Sequence, residues 1–280
     1  MTTTQLSWEQ AVRWYREQPG NESEILSNYF DLPVRQAAER YAGSEEFREV
    51  LRLLGAGAGR KILDLGAGNG IASFALASNG WLVTAVEPDP SDEVGAGAIR
   101  KLAEETNLPI DVVQHVGEEL PFANQTFSTV HARQVLHHAA NLNAMVREVA
   151  RVTQPGGLLL NTREHVADDE AQLIAFQNEH PLHRLYGGEN AYPLQRYLES
   201  FSQAGLILRQ AWGPSESILN YFPGSEHERQ IAIRQIAKHS YFRMGRLLAW
   251  SARFQAAQLR RYTQNDRTPG RIYSFLLKRP

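Results

Sequence analysis

From about residue 58 onward the chain alternates short apolar runs with longer stretches of helical spacing. Ile62, Leu63 and Leu65 form a brief apolar run without helical spacing, and the run ends in Gly66. This predicts a buried strand entering a tight loop. Residues 71–77 then have helix-forming composition and stop at Asn79-Gly80. The strand pattern recurs at 81–86, 110–115, 126–133, 158–162 and 206–212, and again at 270–278. Helical patterns fill 91–106, 141–153 and 192–204 between them. Strands alternating with helices predict an α/β fold: a seven-stranded, mostly parallel sheet with helices on both faces.

The flanks of this core read differently. Residues 7–18 form a helical pattern with Ser7 and Gln10 placed as a capping box. Further helical patterns follow at 21–30, 34–41 and 44–54, separated by Pro19-Gly20, Pro33 and Gly43. The expectation is one domain over 1–280: an N-terminal helical cap (1–57), the core sheet (58–212), a helical insertion (213–266) and the last strand (267–280). The connection before the last strand is far longer than a hairpin, and its helical part, 225–262, is a candidate lid. Within it Arg246, Arg253 and Arg260 recur every seven residues and so share roughly one helix face. That face would greet an anionic acceptor, or simply be solvated.

The first loop carries the sharpest chemistry. Gly66, Gly68 and Gly70 stand where a strand-to-helix loop needs positive φ or close backbone approach to a ligand. A nicotinamide-type G-x-G-x-x-G pattern would place Gly or Ala at position 71, which is Ile71 here. Asp64 lies two residues before the first glycine, where a loop cradling pyrophosphate gains nothing from negative charge. A ligand carrying an ammonium group suits it better. Glu87 ends the next strand, 21 residues past Gly66, the separation at which such sheets place an acceptor for ribose hydroxyls.

Leu63-Asp64-Leu65-Gly66-Ala67-Gly68-Asn69-Gly70 resembles the first motif of the class I S-adenosylmethionine-dependent methyltransferases of the type 11 kind, and Val86-Glu87-Pro88 resembles the second. Glu119-Leu120-Pro121-Phe122, Phe127-Ser128-Thr129-Val130, Val135-Leu136-His137-His138 and the stretch 147–157 follow in that family's order and spacing. The resemblance covers residues 58–165 strongly and the remainder by topology. It implies a Rossmann-like sheet, S-adenosyl-L-methionine as cofactor and S-adenosyl-L-homocysteine as product. It also implies that Asp64, Gly66, Ala67 and Gly68 hold the methionine end, Glu87 the ribose hydroxyls, and Pro88 the adenine face. Gly117 and Glu118 would meet the adenine edge, and Gln134 stands at the carboxyl end of the fourth strand. Two positions depart from the family. Val116 replaces the usual acid, which Glu118 or a backbone N–H would then have to replace, and Ser128 replaces an Asp expected to support the cofactor loop. Tyr29 and Phe30 are candidates for closing the cap over the cofactor, or for plain helix packing.

On the acceptor side the candidates are histidines. His138 and His165 follow the fourth and fifth strands, and His183 lies in the polar stretch 180–192. One of them is expected to act as general base toward a hydroxyl, His165 by slight preference, because an imidazole titrates near pH ~6.5. Adjacent residues on a helix or strand face different ways, so only one of His137 and His138 is expected in the site. No metal-ligand spacing is recognisable, and none of these residues is assigned to a metal. The chain has no cysteine, which excludes thiolate chemistry and fits a cytoplasmic setting without a secretory segment. Net charge is −2, yet 12 Arg and Lys stand against three Asp and Glu from Glu226 onward, with 17 against 28 before it. The basic tail carries no recognisable nucleic-acid module. The expected function is methyl transfer to a small molecule, by preference a hydroxyl on a sugar or secondary-metabolite-type acceptor, with no membrane insertion. A nucleic-acid methyltransferase and a non-catalytic S-adenosylmethionine-binding protein are the alternatives. The acceptor atom and the oligomeric state are not legible.

Overall fold

The computed structural model describes residues 6–240 and 248–280. Its seven strands are β1 (Lys61–Leu65), β2 (Leu82–Val86), β3 (Ile110–Val113), β4 (Phe127–Arg133), β5 (Thr153–Val166), β6 (Ile207–Trp212) and β7 (Arg271–Lys278). They form one sheet in the order β3-β2-β1-β4-β5-β7-β6. β1 to β5 run parallel, and β7 lies antiparallel between β5 and β6. This is the expected Rossmann-like, mostly parallel architecture. The strand order reverses between β1 and β4, which opens a crevice at their carboxyl ends.

Both sheet faces are covered, which is why the central strands are apolar on both sides. On one face, α7 (Leu142–Val152) and α10 (Leu194–Gln203) bring Val146, Val149, Tyr197 and Phe201 onto Leu63, Val130, Phe275 and Leu277. On the other, α4 (Glu45–Leu54), α5 (Ile71–Ser78) and α6 (Ala96–Thr106) bring Phe47, Val50, Leu76 and Ile99 onto Ile62, Val83 and Leu160. α5 is buried almost all round because α3 (Val34–Ala42) lies over it, so its sequence shows no polar stripe. α6 begins later than its sequence pattern because Asp89 accepts from the backbone of Ser91 and Ala96 and holds the preceding residues in turns.

The cap begins with α1 (Trp8–Arg16), whose Ser7–Gln10 capping box is formed, followed by α2 (Glu22–Ser27). Ala11, Val12 and Ile25 of these helices bury against Val94 and Leu182, and the Leu6 N–H bonds to the Leu185 carbonyl at 3.0 Å. The cap is thereby joined to the segment containing α8 (Glu170–Glu179) and α9 (His183–Tyr186). Beyond β6, a 3₁₀ turn at Ile218–Asn220 docks on the sheet through Asn220, whose amide bonds the carbonyls of Trp212 and Gly213 at 2.9 and 3.0 Å. The helical insertion comprises α11 (Glu226–His239) and α12 (Ala252–Asn265), packed on each other. Arg253 and Arg260 lie exposed on α12, and Arg246 lies outside the described residues. Among the described residues no helix is long and apolar enough to cross a membrane.

Candidate active site

A cavity of about 850 Å³ opens at the carboxyl ends of β1, β2 and β4. Trp8, Tyr15 and Phe30 of the cap and His180, Tyr186 and Glu189 beyond β5 form part of its wall. No described residue of the insertion lines it, whereas the N-terminal cap forms part of its wall. Arg253 and Arg260 are likewise outside it.

All nine residues expected at the cofactor line the cavity: Asp64, Gly66, Ala67, Gly68, Glu87, Pro88, Gly117, Glu118 and Gln134. The loop glycines do different work. A Cβ on Gly66 would stand 2.6 Å from Val135 Cγ2, so this glycine admits a packed neighbour. Gly68 has φ +56° and open space where its Cβ would point, so its backbone lies bare to the cavity. Its N–H donates to Glu87 Oε2 at 2.8 Å, and the Asp89 N–H donates to Glu87 Oε1 at 2.9 Å. Burial pushes the Glu87 carboxyl up to about 7, and these two donors limit the rise. Asp64 is buried, with Oδ1 on His131 Nδ1 at 2.8 Å and Oδ2 accepting from the Ser73 hydroxyl at 2.6 Å. It therefore braces β1 against β4 and α5 while reaching the cavity wall. Glu118 accepts from the Ala140 N–H at 2.8 Å, joining two rim loops. Gln134 has φ +59°, and its side-chain oxygen accepts from Arg133, itself paired with buried Glu46 at 2.7 Å.

Two sequence expectations are corrected here. Ser128 donates to the Lys61 carbonyl at 2.8 Å, at the amino ends of β4 and β1. It lies at the opposite end of the strands from the cofactor loop and has no part in supporting it. Of the aromatic pair, Phe30 lines the cavity, whereas Tyr29 is fully buried between Tyr41 and Phe222. The Tyr29 carbonyl nonetheless accepts from Asn69 Nδ2 at 2.7 Å, tying the cap to the glycine loop.

The acceptor side rests on an irregularity in β5. Its register with β7 shifts between Asn161 and Glu164, and Arg163 has φ +63°. Glu164 is buried beside this shift and accepts from the N–H groups of Val135, Leu136 and His137 at 3.0, 3.1 and 2.8 Å. It thus fixes the 3₁₀ turn Leu136–His138 and also meets His137 Nδ1 at 2.7 Å. Burial opposes its charge, but His137 and the converging donors hold it at about 2. Because this segment is a 3₁₀ turn, neither helix nor strand, both His137 and His138 reach the cavity, with ring centroids 4.1 Å apart. The expectation of a single inward histidine fails for that reason.

His138 Nδ1 meets the Gly188 carbonyl at 3.1 Å, and His165 Nδ1 meets the Gly270 carbonyl at 2.8 Å. Burial, reinforced by His137, pushes His138 down to about 4 and His165 down to about 3. Both rings line the cavity. His183 sits in α9 and is not among the cavity-lining residues. His180, one turn earlier, is, and so are Tyr186 and Glu189. The Tyr186 hydroxyl donates to Glu189, a buried carboxylate. Glu189 carried no local signal in the sequence beyond membership of a polar stretch, and His137 was masked by its neighbour.

Residues 63–161 match the model of a methyltransferase domain. Over these residues the chain is similar to S-adenosylmethionine-dependent methyltransferases of class I. The ubiquinone biosynthesis O-methyltransferase of Rhizobium etli is 31% identical over 134 residues, which cover 48% of this chain and 53% of that protein. The demethylmenaquinone methyltransferase of Mycobacterium bovis is 38% identical over 115 residues, covering 40% of this chain and 43% of that protein. The chain spans about half the length of the curated relatives it matches. The crystal structure of the [4+2]-cyclase SpnF has a TM-score of 0.55 and 21% identity, with 88% of this chain and 81% of that one covered. That likeness concerns the fold alone.

Proposed function

We propose that this protein is a methyltransferase that moves a methyl group from S-adenosyl-L-methionine to a hydroxyl of a small organic acceptor. The observation that carries the reading is Glu87: a buried carboxylate bound by the Gly68 N–H, at the edge of a cavity that also holds the acceptor-side histidines. The bare backbone at Gly68 and the cavity volume fit a nucleoside-sized ligand in this loop. When bound, the cofactor supplies an electrophilic methyl group on a sulfonium. The chain's own residues then bind, orient and enclose. Glu87 accepts the ribose hydroxyls, Gly117 and Glu118 border the base, and Gln134 stands between cofactor and acceptor. Trp8, Tyr15 and Phe30 exclude water and offer apolar wall to a ring-bearing acceptor. Placing the acceptor oxygen in line supplies most of the rate enhancement. His165, whose Nδ1 is held by the Gly270 carbonyl, turns Nε2 to the cavity and takes the hydroxyl proton as the O–C bond forms and the C–S bond of the sulfonium breaks. The name of the Rhizobium etli O-methyltransferase supports an oxygen acceptor.

The test is incubation with methyl-labelled S-adenosylmethionine and a metabolite extract. Label entering small molecules is the expected result. Label entering nucleic acid, or no transfer with intact cofactor binding, would replace this reading with one of its two alternatives.

A further inference from the structure

Three side chains from two separate segments converge beside the acceptor space. His137 and His138 come from the turn after β4, and Glu189 from the segment after α9. Glu189 Oε2 lies 4.0 Å from His137 Nε2 and 4.0 Å from His138 Nε2. All three ligand atoms lie within 4.8 Å of one another. Each histidine is oriented through its other nitrogen. His137 Nδ1 is held by the Glu164 carboxylate at 2.7 Å, and His138 Nδ1 by the Gly188 carbonyl at 3.1 Å. In both rings Nδ1 is thus engaged, which leaves each Nε2 turned toward Glu189. Both Nε2 atoms therefore face one carboxylate oxygen across a gap too wide for a direct hydrogen bond, a space of the size and donor set that suits a cation. A carboxylate or carbonyl behind the distal nitrogen is also how metal-binding histidines are oriented.

We propose that His137, His138 and Glu189 bind a divalent first-row metal ion of the Zn²⁺ type. The sequence offered no metal spacing because the carboxylate arrives from about fifty residues further along the chain. Bonds of about 2.0–2.1 Å in a tetrahedral site place ligand atoms about 3.3 Å apart, so Glu189 must close by about 0.7 Å on each Nε2, and the two Nε2 atoms, within 4.8 Å of each other, must draw together as well. Glu189 belongs to a connecting segment, and Tyr186 holds its other oxygen. Three protein ligands leave a position open to the cavity. An acceptor oxygen taking that position would be lowered in pKa and fixed in place. This last role rests on the methyl-transfer reading; the metal site does not.

The test uses tag-free protein, loaded with Co²⁺ or Zn²⁺ and freed of excess metal. One ion per chain is expected, with a visible Co²⁺ spectrum of nitrogen and oxygen ligation. His138→Ala and Glu189→Gln should each weaken retention at least tenfold. Circular dichroism checks that each variant is folded, and Glu189→Gln keeps an acceptor for the Tyr186 hydroxyl. Stoichiometry well below one in the parent, or retention unchanged in both folded variants, overturns the site. S-adenosylhomocysteine binding is measured on the same samples. Its absence with the metal retained would refute the methyl-transfer reading alone, and the reverse pattern would refute the metal site alone.

Discussion

The ribose-binding role proposed for Glu87 ties cofactor affinity to pH. Its carboxyl is raised to about 7 by burial, while ribose hydroxyls donate more strongly to its ionised form. Near pH 6 about one molecule in ten then carries the charge, and near pH 8 about nine in ten do. S-adenosylhomocysteine affinity should therefore rise about tenfold between these pH values and level off above. The sign follows from linkage. Binding favours the ionised carboxylate, lowers its pKa and releases a proton. The same raised pKa makes the ligand-free fold lose this group's stabilisation as pH rises through about 7, so ligand-induced thermal stabilisation should be larger at pH 8. Glu87→Ala removes the acceptor and leaves the Gly68 and Asp89 N–H groups without it. Affinity at pH 8 should fall by about 1.5–3 kcal/mol, roughly 10- to 150-fold, and lose its pH dependence. Titration calorimetry in two buffers of different ionisation enthalpy reads both the affinity and the proton. Parental affinity that is flat from pH 6 to 8, with no proton released, would refute the reasoning.

Other expectations can be checked with the same protein. Gly68→Val should abolish measurable cofactor binding in a folded chain, because its side chain enters the open space and strains a backbone at φ +56°; normal binding would remove this loop from the site. Glu46→Ala should destabilise the fold by about 3–5 kcal/mol, read as a lower denaturation midpoint, because it strands the buried guanidinium of Arg133. Ligand binding should raise hydrogen-exchange protection in residues 6–30 and 180–192 while α11 and α12 stay unchanged; the reverse would restore the insertion as the lid. Turnover at saturating cofactor should not follow a group titrating near 6.5 between pH 6 and 8, since burial holds His138 at about 4 and His165 at about 3; an acidic limb near 6.5 would contradict those environments.

The residues expected to hold the cofactor line one cavity, and their pattern is legible in the sequence because it is local. Leu63 to Gly70 combine a strand, a glycine turn and a helix start within eight residues, and Glu87 ends the adjacent strand. The acceptor half is assembled by tertiary contacts that leave no local trace. Periodicity describes helices and strands, whereas His137 and His138 sit on a 3₁₀ turn fixed by Glu164 from the next strand. Glu189 is joined to them only by folding, and His180 reaches the cavity where His183 does not. Pro155-Gly156-Gly157 reads as a turn, yet β5 runs through it because the Gly156 N–H bonds to the Arg279 carbonyl at 2.9 Å. The insertion misled through its length. Ile233 and Ala237 of α11 and Leu259 of α12 are buried, and these helices lie against one another, away from the cavity.

The central claim, that this cavity is built for S-adenosylmethionine, is tested most directly by equilibrium binding to the parent protein and to Glu87→Ala. S-adenosylhomocysteine should bind the parent at one site per chain and bind the variant at least tenfold more weakly, while NAD should bind neither. Binding of NAD in place of S-adenosylhomocysteine, or equal binding of S-adenosylhomocysteine to both proteins, would contradict the account.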